Sequence, residues 1–375
     1  MLRKYTLVFG VMAVALFTAI QPAPAKDYVY GAWVAAKHGV NVEGLLPYFK
    51  AVEKDTGGAV KWRLLAGGQM VNHRSTLPGV RDRIVDAGMV IPVFNRKELA
   101  HNNVLFDMVM FGSDQVAIGG AGTETMLLDC PECVAEYRKQ NTANLGGFQT
   151  TSFKLICKEK VTKISDVKGR KVRAVGANAR WIRALGGIPV AMSPVEGVTV
   201  MQRGALACIH GPIAWLTSYG YMDVAKYVID YPMGNPRGLS LLTMNRKSWD
   251  SLSLAHKKVM LKHMPGAFAR ATLIGYMKAD EDVKAAAIKR GLIFTPGGKE
   301  FDDLMAKHRA GEMTAIPKAL KKVKVKEATA KRIMAAYLKN LKKWEKLAPA
   351  IGRDVDKLAA AMKREIYDKL DPGKL

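Results

Sequence analysis

The sequence predicts an α/β protein of two domains, and three observations carry that reading. Short apolar segments alternate with amphipathic ones along the chain, as strands and helices do when taken in turn. The same strand-and-helix logic appears twice, first from residue 26 and again from residue 166. With 375 residues and 49% hydrophobic content, the chain can bury more than one core of ordinary size.

The N-terminus reads MLRKYTLVFGVMAVALFTAIQPAPA. Arg3 and Lys4 precede an apolar run, and Ala23-Pro24-Ala25 supplies a small-residue cleavage site. This is the pattern of a secretory signal peptide over residues 1–25, leaving a periplasmic chain that begins at Lys26. No later stretch reaches the ~20 apolar residues needed to cross a bilayer, so stable membrane insertion is not expected.

DYVYGAWVA reads as the first strand. A helix follows through EGLLPYFKAVEKDTGG, with Leu45, Leu46, Phe49 and Val52 on one face and Gly57 as its stop. AVKWRLLAGGQM is a second strand running into a glycine turn. A helix over RSTLPGVRDRIVDAG has to tolerate Pro78, and a short strand AGMVIP closes a β-α-β-α-β unit. Residues 123–142 read as helical, and LGGFQTTSFKLICK as a long extended segment suited to crossing between domains. The second unit takes a strand from DVKGRKVRAVG, a helix from ANARWIRALGG, a strand from IPVAMS, a helix from PVEGVTVMQRG and a strand from ALACIHGPI. In such units ligand-binding groups collect above the carboxyl ends of the strands.

Arg173 interrupts an apolar alternation in KVRAV, where Val172, Ala174 and Val175 suit a buried sheet. A buried arginine needs a partner: an internal carboxylate, solvent at a strand end, or a bound anion.

The formal net charge is +25, or +23 without Arg3 and Lys4. Such an excess suits an anionic surface or acidic solutes, and export argues against nucleic acid. Residues 316–375 carry 17 Lys and Arg against 7 Asp and Glu, a net +10. There Ile333, Met334, Tyr337, Leu341, Trp344 and Ala348 recur at helical spacing, which predicts a helix packed on the body with a solvated lysine face; a docking surface for a membrane or acidic partner is the alternative. Cys130, Cys133, Cys157 and Cys208 favour disulfides in an exported protein, with three pairings open. The CxxC of DCPEC also admits half a zinc site or a redox pair, and Cys208 with His210 a nucleophile and base. An exported enzyme is otherwise unsupported: there is no HExxH, no GxSxG and no GxxxxGK[ST] loop, and no cofactor is expected.

Four stretches resemble the extracytoplasmic solute-binding subunit of tripartite ATP-independent periplasmic (TRAP) transporters: FKAVEKDTGGAVKWRLLAGGQM, ISDVKGRKVRAV, EGVTVMQRGALACIHGP and NRKSWDSLSLAHKKVML. The resemblance spans roughly residues 28–310, and its Lys-Gly-x-Lys-x-Arg element is the most specific part. It implies a two-domain periplasmic solute-binding fold, with a ligand cleft between the domains, hinge strands and long helices. The boundaries are then 26–148 for the first α/β domain, 149–240 for the second, 241–315 for the return to the first with connecting helices, and 316–375 for a basic helical extension. It also implies a carboxylate ligand, a membrane permease pair as partner, and a bidentate ion pair from Arg173 to the solute.

Departures from the family narrow the ligand. Trp33 replaces the usual polar residue at the first strand's end. Phe148 stands where sialic-acid-binding relatives have a second arginine, and Gly211 where they have an asparagine. Ile91 and Phe94 replace polar positions, and Met192 and Trp215 fall at or beside pocket-lining ones. A single arginine among apolar and aromatic side chains implies a hydrophobic or aromatic monocarboxylate. Asn72 and His73 after the Gly-Gln-Met turn, and Asn178 and Arg180 at the start of the helix after Arg173, are the candidate polar contacts, with His38 in the loop after the first strand.

Overall fold

Two separate sheets organise the chain in the computed structural model, which describes residues 26–375. The signal peptide assigned to residues 1–25 lies outside the described residues. The first sheet has five strands in the order Val60–Leu65, Lys26–Gly31, Ala87–Gly88, Thr243–Asn245, Thr142–Asn144. Its first three strands run parallel and Thr243–Asn245 lies antiparallel to both its neighbours. The second has six, in the order Ile293–Pro296, Tyr227–Asp230, Lys154–Cys157, Cys208–Gly211, Lys171–Arg173, Ile188–Val190. The two-domain α/β architecture read from the sequence is the one observed. Because Ile293–Pro296 pairs with Tyr227–Asp230, the segment 241–315 also contributes to the second sheet instead of returning wholly to the first.

The chain passes between the sheets through a two-stranded antiparallel ribbon, Phe148–Gln149 against Arg237–Gly238. The extended segment 145–158 thus does cross. It pairs only over Phe148–Gln149 and Lys154–Cys157, and the residues between make the passage. A continuous helical rod, Leu254–Thr272 with a π-helical turn at Leu273–Lys278 and a final run Ala279–Lys289, connects the first sheet's last strand to the second sheet's edge.

Local chemistry trims several expected elements. The strand expected over 87–92 pairs only at Ala87–Gly88, since Pro92, which has no N–H for a ladder, begins a short 3-10 turn. The helix expected over 74–88 is Thr76–Arg81. Pro78 sits in its first turn, where no intrahelical donor is needed, and Arg83 at φ +61° ends it. In the first helix Leu45, Phe49 and Val52 are buried as expected, but Leu46 is exposed because a π-helical turn over Val40–Leu45 shifts the register of the buried stripe.

The C-terminal residues form helices Lys299–Lys321, Glu327–Ile351 and Val355–Glu365. All six stripe residues from Ile333 to Ala348 are buried, while Lys339, Lys342 and Lys346 face solvent. The stripe packs on the helix Gln115–Glu124. Gly120 permits that approach: a Cβ there would lie 2.3 Å from the Trp344 ring. Trp344 Nε1 donates to Glu124 Oε2 at 2.6 Å.

The cysteines pair as Cys130–Cys133 and Cys157–Cys208. Cys157 and Cys208 stand directly opposite on antiparallel strands. With all four cysteines bonded, none offers a thiolate to zinc or to a Cys208–His210 nucleophile. His210 is buried, and burial together with the Arg173 charge holds its pKa down to about 3.

Candidate binding cavity

Residues just beyond the carboxyl ends of strands in both sheets converge on one cavity of about 550 Å3, open mouth included. Trp33 follows Lys26–Gly31, and Met89, Ile91 and Phe94 follow Ala87–Gly88. Arg173 ends Lys171–Arg173, and Trp215 follows Cys208–Gly211. The ribbon adds Phe148, Thr150, Arg237 and Gly238, and the π-helical turn of the rod adds Tyr276.

Arg173 is 2% exposed. Its Nε donates to the Met192 carbonyl at 2.8 Å, and its guanidinium carbon lies 5.5 Å from the centre of the Trp215 ring. Among the described residues no carboxylate pairs with it. The nearby Glu196 carboxylate accepts instead from Ser193 N and Oγ in a capping box. Burial draws the guanidinium's pKa down to about 10, so it stays charged at neutral pH. Arg237, the second arginine in the wall, donates from its terminal nitrogens to the carbonyls of Leu105 and Met108 and to the Tyr337 hydroxyl, while its Nε has no partner and no carboxylate pairs with it among the described residues.

Asn178, which lines the same cavity as Arg173, is 1% exposed, and neither its amide nitrogen nor its oxygen has a partner among the described residues. The helix start at Ala177, expected to offer free amide donors, is already committed: Ala177 N donates to Asp107 Oδ1 at 3.2 Å. Arg180 is likewise taken up, bonded to Glu312 and Asp107.

Much of the rest of the wall is aromatic, with Met89, Ile91, Val93 and Val175 adding aliphatic surface. Phe148 stacks on Tyr276 with centroids 5.7 Å apart, Trp215 meets Phe153 at 5.1 Å and Tyr219 at 5.3 Å, and Trp33 meets Phe94 edge-on at 6.2 Å. Trp33 Nε1 donates to the Met89 carbonyl at 3.1 Å, which fixes its ring. Two of these rings lie flat on glycines. A Cβ at Gly211 would fall 2.2 Å from Trp215, and one at Gly238 2.2 Å from Phe148. We therefore expect Gly211→Ala to push Trp215 into the cavity, reducing affinity for a ring-bearing ligand at least tenfold and stability by about 1–3 kcal/mol. Calorimetric titration and urea denaturation would check this, and unchanged values in both would show that the ring has room to retreat.

Of the ten residues singled out from the sequence, Arg173, Trp33, Ile91, Phe94, Phe148 and Trp215 line the cavity. The other four do not. Gly211 lies behind Trp215, and Met192 contributes its carbonyl to Arg173 while its side chain borders an outer depression with Arg74, Arg96 and Arg183. Asn72 is exposed and uses its side-chain oxygen to accept the N–H groups of Arg74 and Ser75. His73 is buried behind the wall, edge-on to Phe94 at 4.6 Å. Sequence reasoning missed Phe153, Tyr219, Tyr276 and Arg237. It left His38 as a loop residue, whereas the side chain is 2% exposed and lines the cavity.

Two α/β halves joined by crossing strands around a shared cavity are the architecture of a two-domain solute-binding protein. The chain belongs to the DctP family, bacterial extracellular solute-binding protein family 7, which it matches over residues 32–305. Its structure is similar to a TRAP periplasmic solute binding protein from Bordetella bronchiseptica with bound (R)- and (S)-mandelate, at 18% identity and TM-score 0.72 over 85% of this chain and 99% of that one. It is also similar to a marine metagenome TRAP solute binding protein specific for aromatic acid ligands, in complex with 3-hydroxybenzoate, at 18% identity and TM-score 0.75 over 86% and 99%. A third, a marine metagenome TRAP solute binding protein specific for pyroglutamate, gives 14% identity and TM-score 0.73 over 84% and 99%. At these identities the likeness establishes the fold. No curated protein matches the chain. Among the described residues no helix is long and apolar enough to cross a membrane.

Proposed function

We propose that the protein captures an aromatic or apolar monocarboxylate in the periplasm and delivers it to the membrane permease of a TRAP transporter. One observation carries the reading: a buried arginine that no carboxylate pairs with among the described residues faces a cavity lined mainly by aromatic and apolar side chains. A planar guanidinium receives a carboxylate through two parallel hydrogen bonds, and the solute is then the missing anion. Asn178 donates to a carboxylate oxygen beside it. Trp33, Phe94, Phe148, Phe153 and Trp215 enclose the hydrocarbon. Arg237 spends its terminal nitrogens on carbonyls and a hydroxyl and keeps only its Nε–H unpartnered among the described residues, so a second carboxylate would not meet a free guanidinium fork there, which disfavours dicarboxylates. Export follows from the segment 1–25, and capture without chemical change follows from the family.

The test is a thermal-shift and calorimetric screen of ligand-stripped chain Lys26 to Leu375. Benzoate, phenylacetate, mandelate and phenylpyruvate are expected to raise the melting temperature through mass action, and succinate and galactonate are not. Stabilisation by dicarboxylates alone would overturn the apolar-ligand reading.

A further inference from the structure

The imidazole of His38 lines the cavity at 2% exposure, and one of its two nitrogens has no partner among the described residues. Val40 N–H donates to Nδ1 at 3.2 Å, so Nδ1 presents a lone pair and the proton of the neutral ring sits on Nε2. Burial holds the pKa down to about 4, which keeps the ring neutral at physiological pH. Nε2–H is therefore a buried donor with no acceptor among the described residues, an arrangement that costs a folded protein stability unless something else accepts from it.

The ring's place in the cavity is defined by its neighbours. From Arg173 the contacts run to Trp215 at 5.5 Å, from Trp215 to Tyr219 at 5.3 Å, and from Tyr219 to His38 at 5.2 Å, with Tyr276 edge-on to His38 at 5.9 Å. Two aromatic side chains thus separate His38 from the guanidinium. The Arg173 charge acts on His210 and Tyr219, whereas burial alone accounts for His38. The loop bearing it is fixed. Asn41 Nδ2 donates to Ala35 O at 2.9 Å, and Gly39 meets Gly275 backbone to backbone, leaving a Cβ at Gly39 only 2.5 Å from the Gly275 carbonyl oxygen.

Building on the function proposed above, we infer that the solute bears an oxygen acceptor, a hydroxyl or oxo group, on the end of its ring remote from the carboxylate, and that His38 Nε2–H binds it. The cavity then has two polar poles, Arg173 with Asn178 at one and His38 at the other, joined by aromatic walls. A hydroxyl accepting from Nε2–H has its own proton free for the neighbouring Tyr219 oxygen. A ring acid without that oxygen leaves the donor unpaired, and a site built to bond a polar group rejects the analogue that lacks it.

The experiment compares dissociation constants of wild type, His38→Leu and His38→Gln for benzoate, 3- and 4-hydroxybenzoate, phenylacetate, and 3- and 4-hydroxyphenylacetate. Wild type is expected to bind the best hydroxylated acid about 10- to 100-fold tighter than its parent. His38→Leu should reduce that ratio to within about threefold by weakening only the hydroxylated acid, and His38→Gln, which retains an N–H donor, should restore part of it. Equal binding of parent and hydroxylated acids by wild type, or an equal loss of both in His38→Leu, overturns the inference and leaves the proposed function standing. If no aromatic acid binds at all, the proposed function fails and this inference with it. Should His38→Leu not fold, the wild-type ratio and His38→Gln decide.

Discussion

Arg173→Met should make the ligand-free protein more stable while abolishing carboxylate binding. The lowering of the guanidinium pKa to about 10 corresponds to a net cost on the order of 3 kcal/mol for holding the charged side chain in the empty cavity. Methionine has no charge to desolvate and packs against Trp215, but it forgoes the hydrogen bond to the Met192 carbonyl. The expected balance is a gain of about 1–3 kcal/mol in urea denaturation of ligand-stripped protein. Affinity for any carboxylate should fall by about 2–5 kcal/mol, some 30- to several-thousand-fold, because the solute's charge would be buried unpaired. An apo protein destabilised by Arg173→Met that still binds its acid would show the guanidinium to be a structural group.

Trp344→Ala is the second large effect expected. The ring is wholly buried against Gly120, and its loss leaves a void between the helix Glu327–Ile351 and the helix Gln115–Glu124. Such truncations cost about 3–5 kcal/mol. Trp344→Phe separates the contributions, since it keeps most of the volume and removes the donor to Glu124, for a loss of about 1–3 kcal/mol; Lys343 Nζ, 2.6 Å from the same carboxylate, limits the damage. Urea denaturation of both variants checks the ranking. A loss below about 1 kcal/mol for Trp344→Ala would make the tail a loosely held appendage. Its integration matters because the family match ends at residue 305, so the last helices complete the body beyond the matched region.

What the sequence made legible follows from the range of the interactions involved. The strand Lys171–Arg173 announced itself because an arginine broke an apolar alternation, and the buried stripe of Glu327–Ile351 because helical spacing is a local property. Trp33 and Trp215 were reached through the family resemblance, and both lie beyond strand ends, which in an α/β unit meet at a common edge. Tyr276 was not: it belongs to a long helix whose composition gives no sign of which turn faces the cavity, and the π-helical turn that displaces the ring has no sequence rule. Arg237 lies in a two-residue strand too short for a periodic signal. Asn72 and His73 were expected in the cleft from the resemblance, which puts a hydrogen-bonding residue after the Gly-Gln-Met turn, but the direction of a side chain leaving a turn depends on what packs around it. The pairing of Cys157 with Cys208 required the register of two strands about fifty residues apart, which is a property of the assembled sheet.

Gly211 and Gly238 bear on how specificity in such a protein can drift. Neither has a side chain to offer a solute, yet each sets how far an aromatic wall stands back. Two descendants of this chain with identical contact residues would therefore accept solutes of different thickness if one acquired a methyl group behind Trp215 or Phe148. The bore of the chamber is set from outside it, and an inventory of the residues that touch the solute would miss the positions where selection acts.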